Sequence, residues 1–221
     1  MLNKTKTDPE LGQKVFEFLK EKGVETPMIN NDISEEDKIS IIEKNIKSTL
    51  ETLGLDLTDD SLIKTPNRVA KMYVNEIFWG LNYDNFPRVM TFNNKMDYDQ
   101  MIVEKNIRFY SDCEHHIRPI SGLCHVAWLP NEKVPGLSKI NRIVEFFSRR
   151  PQVQERLVTQ IYWTLNYILQ TDDIAVIMSG EHFCVKQRGV EDHESDTITS
   201  KLGGVFRTSD ARHELLQLIK I

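Results

Sequence analysis

The chain has 221 residues, of which 40% are hydrophobic and 28% are charged, and its formal net charge is -5 at pH 7. This length lies at the upper end of the range for one domain, and the composition is ordinary for a globular protein. The negative charge argues against a general binder of nucleic acids or anionic membranes, although local basic pockets can still exist.

Cysteine usage and the N-terminal sequence indicate a reduced, cytoplasmic protein. The three cysteines are an odd number and therefore a poor disulfide framework. The N-terminal residues contain no apolar core of signal-peptide length, and no apolar run approaches a membrane span. We therefore expect a cytoplasmic chain whose thiols are free for packing or for metal binding.

The first helix and the connector after it are predicted from boundary residues. Asp8 and Pro9 have the residue types of an N-cap and a first helical position, and Gly23 has that of a helix stop. Between them the apolar residues keep helical spacing: Leu11, Val15, Phe18 and Leu19. The polar residues 25–32 predict a connector between an N-terminal arm and the body.

Two further helices are predicted before the first strand. Ser34 caps the second helix, whose apolar residues keep helical spacing: Ile39, Ile42, Ile46, Leu50 and Leu53. The third helix begins at Thr65 and ends at Gly80, with an inward stripe of Val69, Met72, Tyr73 and Ile77. Such stripes are nearly always core, so we predict a buried face on both helices.

A strand hairpin is predicted in the middle of the chain. From Met101 toward Cys113 the apolar residues alternate with polar ones, which is typical of a half-buried strand. Residues 122–129 are its predicted partner strand, joined to it through a loop around Arg118 and Pro119.

Two helices and another strand follow the hairpin. Ser138 is predicted to cap the first of these helices, and Pro151 to end it and to start the next. Residues 174–178 predict a short apolar strand that runs into His182 and Cys184.

The last elements complete an α+β pattern. Residues 197–206 predict a strand interrupted by Gly203 and Gly204, and Ser209 caps a terminal helix. The order is helices, two strands, two helices, two strands and a helix, which predicts an antiparallel sheet with helices on one face. Such a small sheet leaves uncovered edges, so we expect oligomerisation through them.

Two stretches concentrate potential metal ligands: Cys113, Glu114, His115 and His116 in the first, and His182 and Cys184 in the second. In a cytosolic-looking chain this concentration favours a metal over a disulfide. One tight turn can aim Cys113 and His116 at the same ion, and on a strand His182 and Cys184 project to the same side.

Residue spacing leaves the ligand set open. Cys113, His116 and Cys184 could bind zinc with one position left for water, which would make His115 and His182 proton-transfer groups. Spacing alone does not choose His116 over the other two histidines. A closed structural zinc site in a binding protein is the alternative, and it needs a fourth protein ligand.

Basic residues near the same motifs suit a phosphorylated substrate: Lys139, Arg142, Arg188 and Arg68. The helix start at Ser138 is itself a candidate anion site, because its first N–H groups have no partner within the helix. Glu155 is either a favourable partner of its helix dipole or a carboxylate for substrate recognition.

Six motifs in one order carry a resemblance from about residue 55 to near the C-terminus: Thr65-Pro-Asn-Arg-Val-Ala-Lys71, Asp112-Cys-Glu-His-His116, Gly136-Leu-Ser-Lys-Ile-Asn-Arg142, Arg150-Pro-Gln-Val-Gln-Glu-Arg156, His182-Phe-Cys-Val-Lys-Gln-Arg-Gly189 and Leu202-Gly-Gly-Val-Phe206. With these motifs the sequence resembles the zinc-dependent GTP cyclohydrolase I family, in its bacterial form. Several independent motifs in the same order make the match highly specific.

The resemblance implies a role for each matching residue. It implies three zinc ligands, Cys113, His116 and Cys184, and an acid–base pair, His115 and His182. It also implies substrate contacts: Glu155 and Gln154 at the guanine, Ser138 at the ribose, and Lys139, Arg142, Arg188 and Arg68 at the triphosphate.

The resemblance also implies a fold and an assembly. The family has the tunnelling fold, a small antiparallel sheet with helices that joins others into a β-barrel. Residues 1–95 would form an N-terminal helical region and residues 96–221 the catalytic domain. The family assembly is a homodecamer of two pentamers, with sites built from neighbouring subunits.

The implied reaction is hydrolysis of GTP at C8 of the guanine ring. Its products are formate and 7,8-dihydroneopterin triphosphate, in the first step of pterin and tetrahydrofolate biosynthesis. Because the chain is acidic, we expect no nucleic-acid or membrane partner. Another tunnelling-fold enzyme acting on a different purine or pterin is the alternative among enzymes.

Overall fold

The structure, a computed structural model, describes residues 2–29 and 31–220. Its helices are α1 (Pro9–Glu21), α2 (Glu35–Thr52), α3 (Thr65–Met72), α4 (Leu137–Ser148), α5 (Gln154–Leu169), α6 (Phe183–Lys186) and α7 (Ser209–Ile219). Its strands are β1 (Thr91–Asn93), β2 (Ile102–Cys113), β3 (Arg118–Trp128), β4 (Lys133–Pro135), β5 (Pro151–Gln152), β6 (Ile174–His182) and β7 (Thr197–Leu202). The predicted connector 25–32 includes position 30, which lies outside the described residues. None of the described helices is both long enough and apolar enough to cross a membrane.

A five-stranded sheet with the order β5-β2-β3-β6-β7 forms the centre of the fold. The pairs β2–β3, β3–β6 and β6–β7 are antiparallel, and β5 lies parallel to the last residues of β2. The predicted mixed α+β class with an antiparallel sheet is confirmed. A separate small sheet pairs β1 with β4 and leads into α4.

Both faces of this sheet are covered by helices. Cys124, Val126 and Trp128 of β3 are buried in the main core, together with residues of α1, α4 and α5. Ala127 points to the other face and packs in a second core with Leu215 of α7. The prediction of helices on one face is therefore wrong for α7. The reason is that β3 and β6 are apolar on both sides, as strands covered on two faces are.

The hairpin turn is tighter than predicted. Arg118 and Pro119 belong to β3, where they pair with Cys113 and Asp112, so they do not form the loop. The turn consists of residues 114–117 alone. The predicted metal-binding stretch therefore forms the turn itself.

Helix boundaries between the two hairpins also differ from prediction. Gly136, not Ser138, is the N-cap of α4, because Leu137 is already helical. Pro151 lies in β5, and α5 begins only at Gln154. At the C-terminal helix, Thr208 occupies the N-cap position and Ser209 is the first helical residue.

The ends of the N-terminal helices agree with the prediction, but the burial of α2 does not. Asp8 accepts a hydrogen bond from the Leu11 N–H at 3.1 Å, and Gly23 has a φ of +69°, which favours glycine. Ser34 caps α2 as predicted. However, no residue of α2 is fully buried, and Leu53 is 73% exposed. The predicted core face of α2 is only half covered, because α2 packs mainly against α3.

A buried ion pair joins the N-terminal region to the sheet domain. Arg150 is completely buried, and its Nη1 lies 3.2 Å from Oε1 of Glu25. Its guanidinium also stacks over the rings of Tyr83, Phe146 and Phe147, at 4.8 to 5.1 Å from their centroids. Both regions thus share one core, and their division at residue 95 stays a prediction.

We expect Glu25→Ala to lower the free energy of unfolding by about 3 kcal/mol, because it leaves the Arg150 charge buried without its carboxylate. Lys4→Ala is the control, since it breaks the exposed Lys4–Glu35 pair and should cost less than about 1 kcal/mol. Urea titrations at one protein concentration, followed by circular dichroism, measure both values. Equal small losses in the two variants would contradict the structural role of Arg150.

Candidate active site

The hairpin turn brings a thiol and an imidazole together. The N–H groups of His116 and Ile117 donate to the carbonyl oxygen of Cys113 at 3.3 and 2.8 Å. Ile117 has a φ of +49°, a left-handed conformation that is unfavourable for a β-branched residue. This closed turn places Sγ of Cys113 4.0 Å from Nδ1 of His116. Such strained backbone is typical of functional sites.

Cys184 completes a group of three potential metal ligands. The ligand atoms of Cys113, His116 and Cys184 all lie within 4.8 Å of one another. Around a tetrahedral zinc ion, with bonds of about 2.3 Å to sulfur and 2.0 Å to nitrogen, neighbouring ligand atoms are roughly 3.5–3.8 Å apart. The three residues therefore fit one ion with small adjustments.

The route by which Cys184 reaches this group differs from prediction. Strand β6 ends at His182, and Cys184 lies in the short helix α6, so the two residues do not project from one strand. Burial raises the pKa of the Cys184 thiol, and the neighbouring Cys113 raises it further. A bound cation would favour both thiolates, which are the ligand form of cysteine.

Distance to Cys113 alone does not separate the two histidines of the turn. Nδ1 of His115 lies 3.8 Å from Sγ of Cys113, which is as close as His116. Among the described residues, however, only His116 forms a compact group with both cysteines. Cys124, the other thiol, is fully buried in the core, where desolvation raises its pKa, so packing explains it.

Gln154 holds His182, one of the two proton-transfer candidates, in place. Oε1 of Gln154 lies 2.9 Å from Nε2 of His182. The amide nitrogen of Gln154 donates to two backbone carbonyls and to the hydroxyl of Thr199, all within 3.2 Å. Because the amide oxygen can only accept, Nε2 of His182 must carry the proton, which leaves Nδ1 of a neutral ring free to accept one. Gln154 is only 1% exposed.

Burial lowers the pKa of His182, and the nearby Glu155 carboxylate opposes this effect. A lowered pKa keeps the ring neutral near pH 7, so His182 is a proton acceptor at that pH. Glu155 is exposed in the first turn of α5, close enough to His182 to act on its charge. The predicted contacts of Gln154 and Glu155 with guanine stay predictions.

Glu114 is a site residue whose role the sequence did not reveal. Its carboxylate forms a close two-pronged ion pair with Arg156 of α5, and its Oε1 lies 4.0 Å from Nε2 of His115. The pair fastens the turn to the helix that carries Gln154 and Glu155. Only the tertiary fold brings α5 beside the turn, so residue spacing gives no signal for this contact.

The other predicted substrate contacts lie at the opposite end of the sheet. The start of α4, which holds Ser138, Lys139 and Arg142, is fixed by a 3.1 Å hydrogen bond from Asn141 to Glu104 of β2. Glu104 and Cys113 are nine residues apart on β2, which spans up to roughly 30 Å at about 3.3 Å per strand residue, less what the irregularity between Glu104 and Ile107 removes. Within one chain, the structure therefore does not bring these residues to the metal ligands.

The two remaining predicted phosphate contacts lie on other elements. Arg188 is exposed just after α6, close enough to Cys184 to favour its thiolate. Arg68 is exposed on α3, which packs against α2. The structure thus places Arg188 with the ligand group and Arg68 on a separate helix pair.

We expect Arg156→Gln to weaken zinc binding by about 10-fold, because the turn that presents Cys113 and His116 loses its anchor on α5. Arg108→Gln is a matched control, since Arg108 is an exposed arginine that donates a hydrogen bond to the Tyr110 hydroxyl at 3.4 Å. Competition with a chromophoric chelator measures both affinities. Unchanged zinc affinity in Arg156→Gln would show that the ion pair does not support the ligands.

Comparison with known proteins identifies a family. Residues 42–220 match the family model described as GTP cyclohydrolase I. GTP cyclohydrolase 1 of Aeromonas salmonicida is 54% identical over 203 residues, which cover 91% of this chain and 93% of that protein. GTP cyclohydrolase 1 of Shewanella denitrificans is 51% identical over 208 residues, or 94% of this chain and 96% of that protein.

One solved structure is also similar, at a low level. A dihydroneopterin aldolase from Burkholderia thailendensis, bound to guanine, superposes with a TM-score of 0.33 at 14% identity. The match covers 50% of this chain and 97% of that one. A structural similarity with so low a TM-score supports no conclusion about this chain.

Proposed function

We propose that this chain hydrolyses GTP to formate and 7,8-dihydroneopterin triphosphate, because it belongs to the GTP cyclohydrolase I family. The net reaction consumes one water, opens the imidazole ring of guanine at C8 and recloses the rearranged ribose onto the freed amine. The observation that carries the proposal is the Cys113–His116–Cys184 group beside two histidines, in a chain about half identical to proteins of that name. The reaction is the first step of pterin and tetrahydrofolate biosynthesis.

Zinc is the metal that the donor set fits best. Two thiolates and one imidazole form a soft, tetrahedral set, which is typical of zinc. Three protein ligands leave one position for water, whereas a closed structural site would use four. When bound there, zinc would supply a water whose pKa is lowered to about 7.

The two histidines are the proposed proton-transfer groups. Nε2 of His182 is held by Gln154, so its Nδ1 can accept a proton from the attacking water or return one to a ring nitrogen. His115 is exposed on the turn, with the Glu114 carboxylate 4.0 Å from its ring. The two rings thus supply an acceptor and a donor close to the ligand group.

The substrate contacts follow the chemistry of each part of GTP. We propose that the Glu155 carboxylate accepts the N–H groups of the guanine edge, with Gln154 behind it and Ser138 near the ribose. The triphosphate would be bound by cations: Lys139, Arg142, Arg188 and Arg68. Glu155 is accessible for this role because its side chain is exposed, and it lies near His182.

A neighbouring subunit must supply half of this site. The start of α4 and the metal ligands lie at opposite ends of β2, up to roughly 30 Å apart along the strand. We therefore propose that Lys139 and Arg142 of one subunit face the ligand group of the next, in a decamer of two pentamers whose sheets join into a barrel. The half-covered stripe of α2 would be buried by the same assembly.

The direct test is purified protein incubated with GTP and zinc. Formate and a pterin, which becomes fluorescent after oxidation, should appear in equal amounts. If neither product forms although zinc is bound, the proposed function is wrong.

The cytoplasmic location expected from the sequence stays a prediction.

Cys184→Ser should lose bound zinc and turnover together, because it removes one of three ligands. His182→Ala should keep its zinc and lose about 10²- to 10⁴-fold in kcat, as removal of an acid–base group does. Metal analysis of the purified variants and the pterin assay separate the two effects. Full activity in Cys184→Ser would falsify the ligand assignment.

A further inference from the structure

The segments on either side of the N-terminal helices meet at the start of α4. Lys6, just before α1, accepts a backbone hydrogen bond from the Arg88 N–H at 2.9 Å. Two residues further on, the carbonyl of Met90 accepts from the N–H of Gly136, the N-cap of α4, at 3.3 Å. Chain segments that are distant in sequence are therefore held side by side at this helix start.

Four cationic side chains converge at this position: Lys6, Arg88, Lys139 and Arg142. Lys6 and Arg142 line one cavity of about 260 Å³, whose wall also includes Asn3 and Thr7. Within residues 2–29 and 31–220, none of the four cationic side chains has a hydrogen bond or ion pair. Glu145 also lines the cavity, and its carboxylate lies 3.8 Å from Arg149.

The four charges act on one another. Partial burial lowers the pKa of Lys139, and the charges of Arg142, Lys6 and Arg88 lower it further, in that order. The first turn of α4 contains no acidic residue, and no side chain caps it. Like charges close together repel one another, and a bound polyanion would relieve that repulsion.

We propose that Lys6 and Arg88 are additional triphosphate-binding residues, so that the N-terminal segment forms part of the nucleotide site. The inference rests on the proposed role of Lys139 and Arg142 in the same site. The cluster lies at the phosphate end of the proposed substrate and far from the ring that reacts. Lys6 and Arg88 should therefore bind substrate and transition state equally, which affects KM and leaves kcat nearly unchanged.

The test compares Lys6→Ala and Arg88→Ala with Lys4→Ala. Lys4 belongs to the same short turn before α1, but its ammonium pairs with Glu35 at 3.2 Å. We expect KM for GTP to rise about 5- to 10-fold in Lys6→Ala and in Arg88→Ala, because each variant loses one charge-assisted hydrogen bond to the triphosphate. In Lys4→Ala we expect KM to stay unchanged. Lys6→Arg and Arg88→Lys keep the charge and should restore most of the affinity.

Binding of inorganic triphosphate separates this inference from the proposed function. Calorimetry on the full-length protein should show triphosphate binding that weakens by the same factor in Lys6→Ala and Arg88→Ala, whether or not GTP is turned over. If the wild type releases formate from GTP while both variants match Lys4→Ala, the N-terminal contribution is wrong and the function stands. If the wild type does not bind triphosphate, the anion site itself is wrong.

Discussion

The antiparallel register of β2, β3 and β6 determines where chemistry can occur in this fold. Cys113 pairs with Arg118 at the tight end of the first hairpin, and Ile120 pairs with His182 on the next strand. The register thus brings the turn and the end of β6 to the same end of the sheet, where α6 adds Cys184. A shift of one residue in either pairing would move the ligands to opposite faces of the sheet.

The same sheet separates the two halves of the proposed site. Helix α4 packs against β2. Asn141 of α4 bonds to Glu104 near one end of the strand, and Ser111 near the other end donates to the carbonyl of Arg150, two residues after the helix. Because both elements are rigid and packed in one core, no small motion can close that distance. Oligomerisation is therefore part of the catalytic proposal, since a single chain presents the ligand group and the cation cluster at opposite ends.

Local signals predicted the parts of the fold that local chemistry controls. The Asp8 cap, the stop at Gly23 and the meeting of Cys113 with His116 each depend on a few neighbouring residues. Contacts between distant segments gave no such signal. Arg156 reaches Glu114 only because α5 packs beside the turn, and Lys6 reaches the start of α4 because its segment pairs with the backbone of residues 86–88. The family resemblance supplied the ligand set but not these supporting contacts.

Subunit complementation tests the division of the site most directly. Cys184→Ser removes a metal ligand and Lys139→Ala a phosphate contact, which raises KM. At GTP concentrations far below that raised KM, each variant alone should therefore have little GTP turnover. If each site joins two subunits, co-expression of equal amounts should restore about a quarter of wild-type activity, because random assembly pairs two intact halves at that frequency. Activity no higher than the mean of the two variants alone would contradict a site shared between subunits.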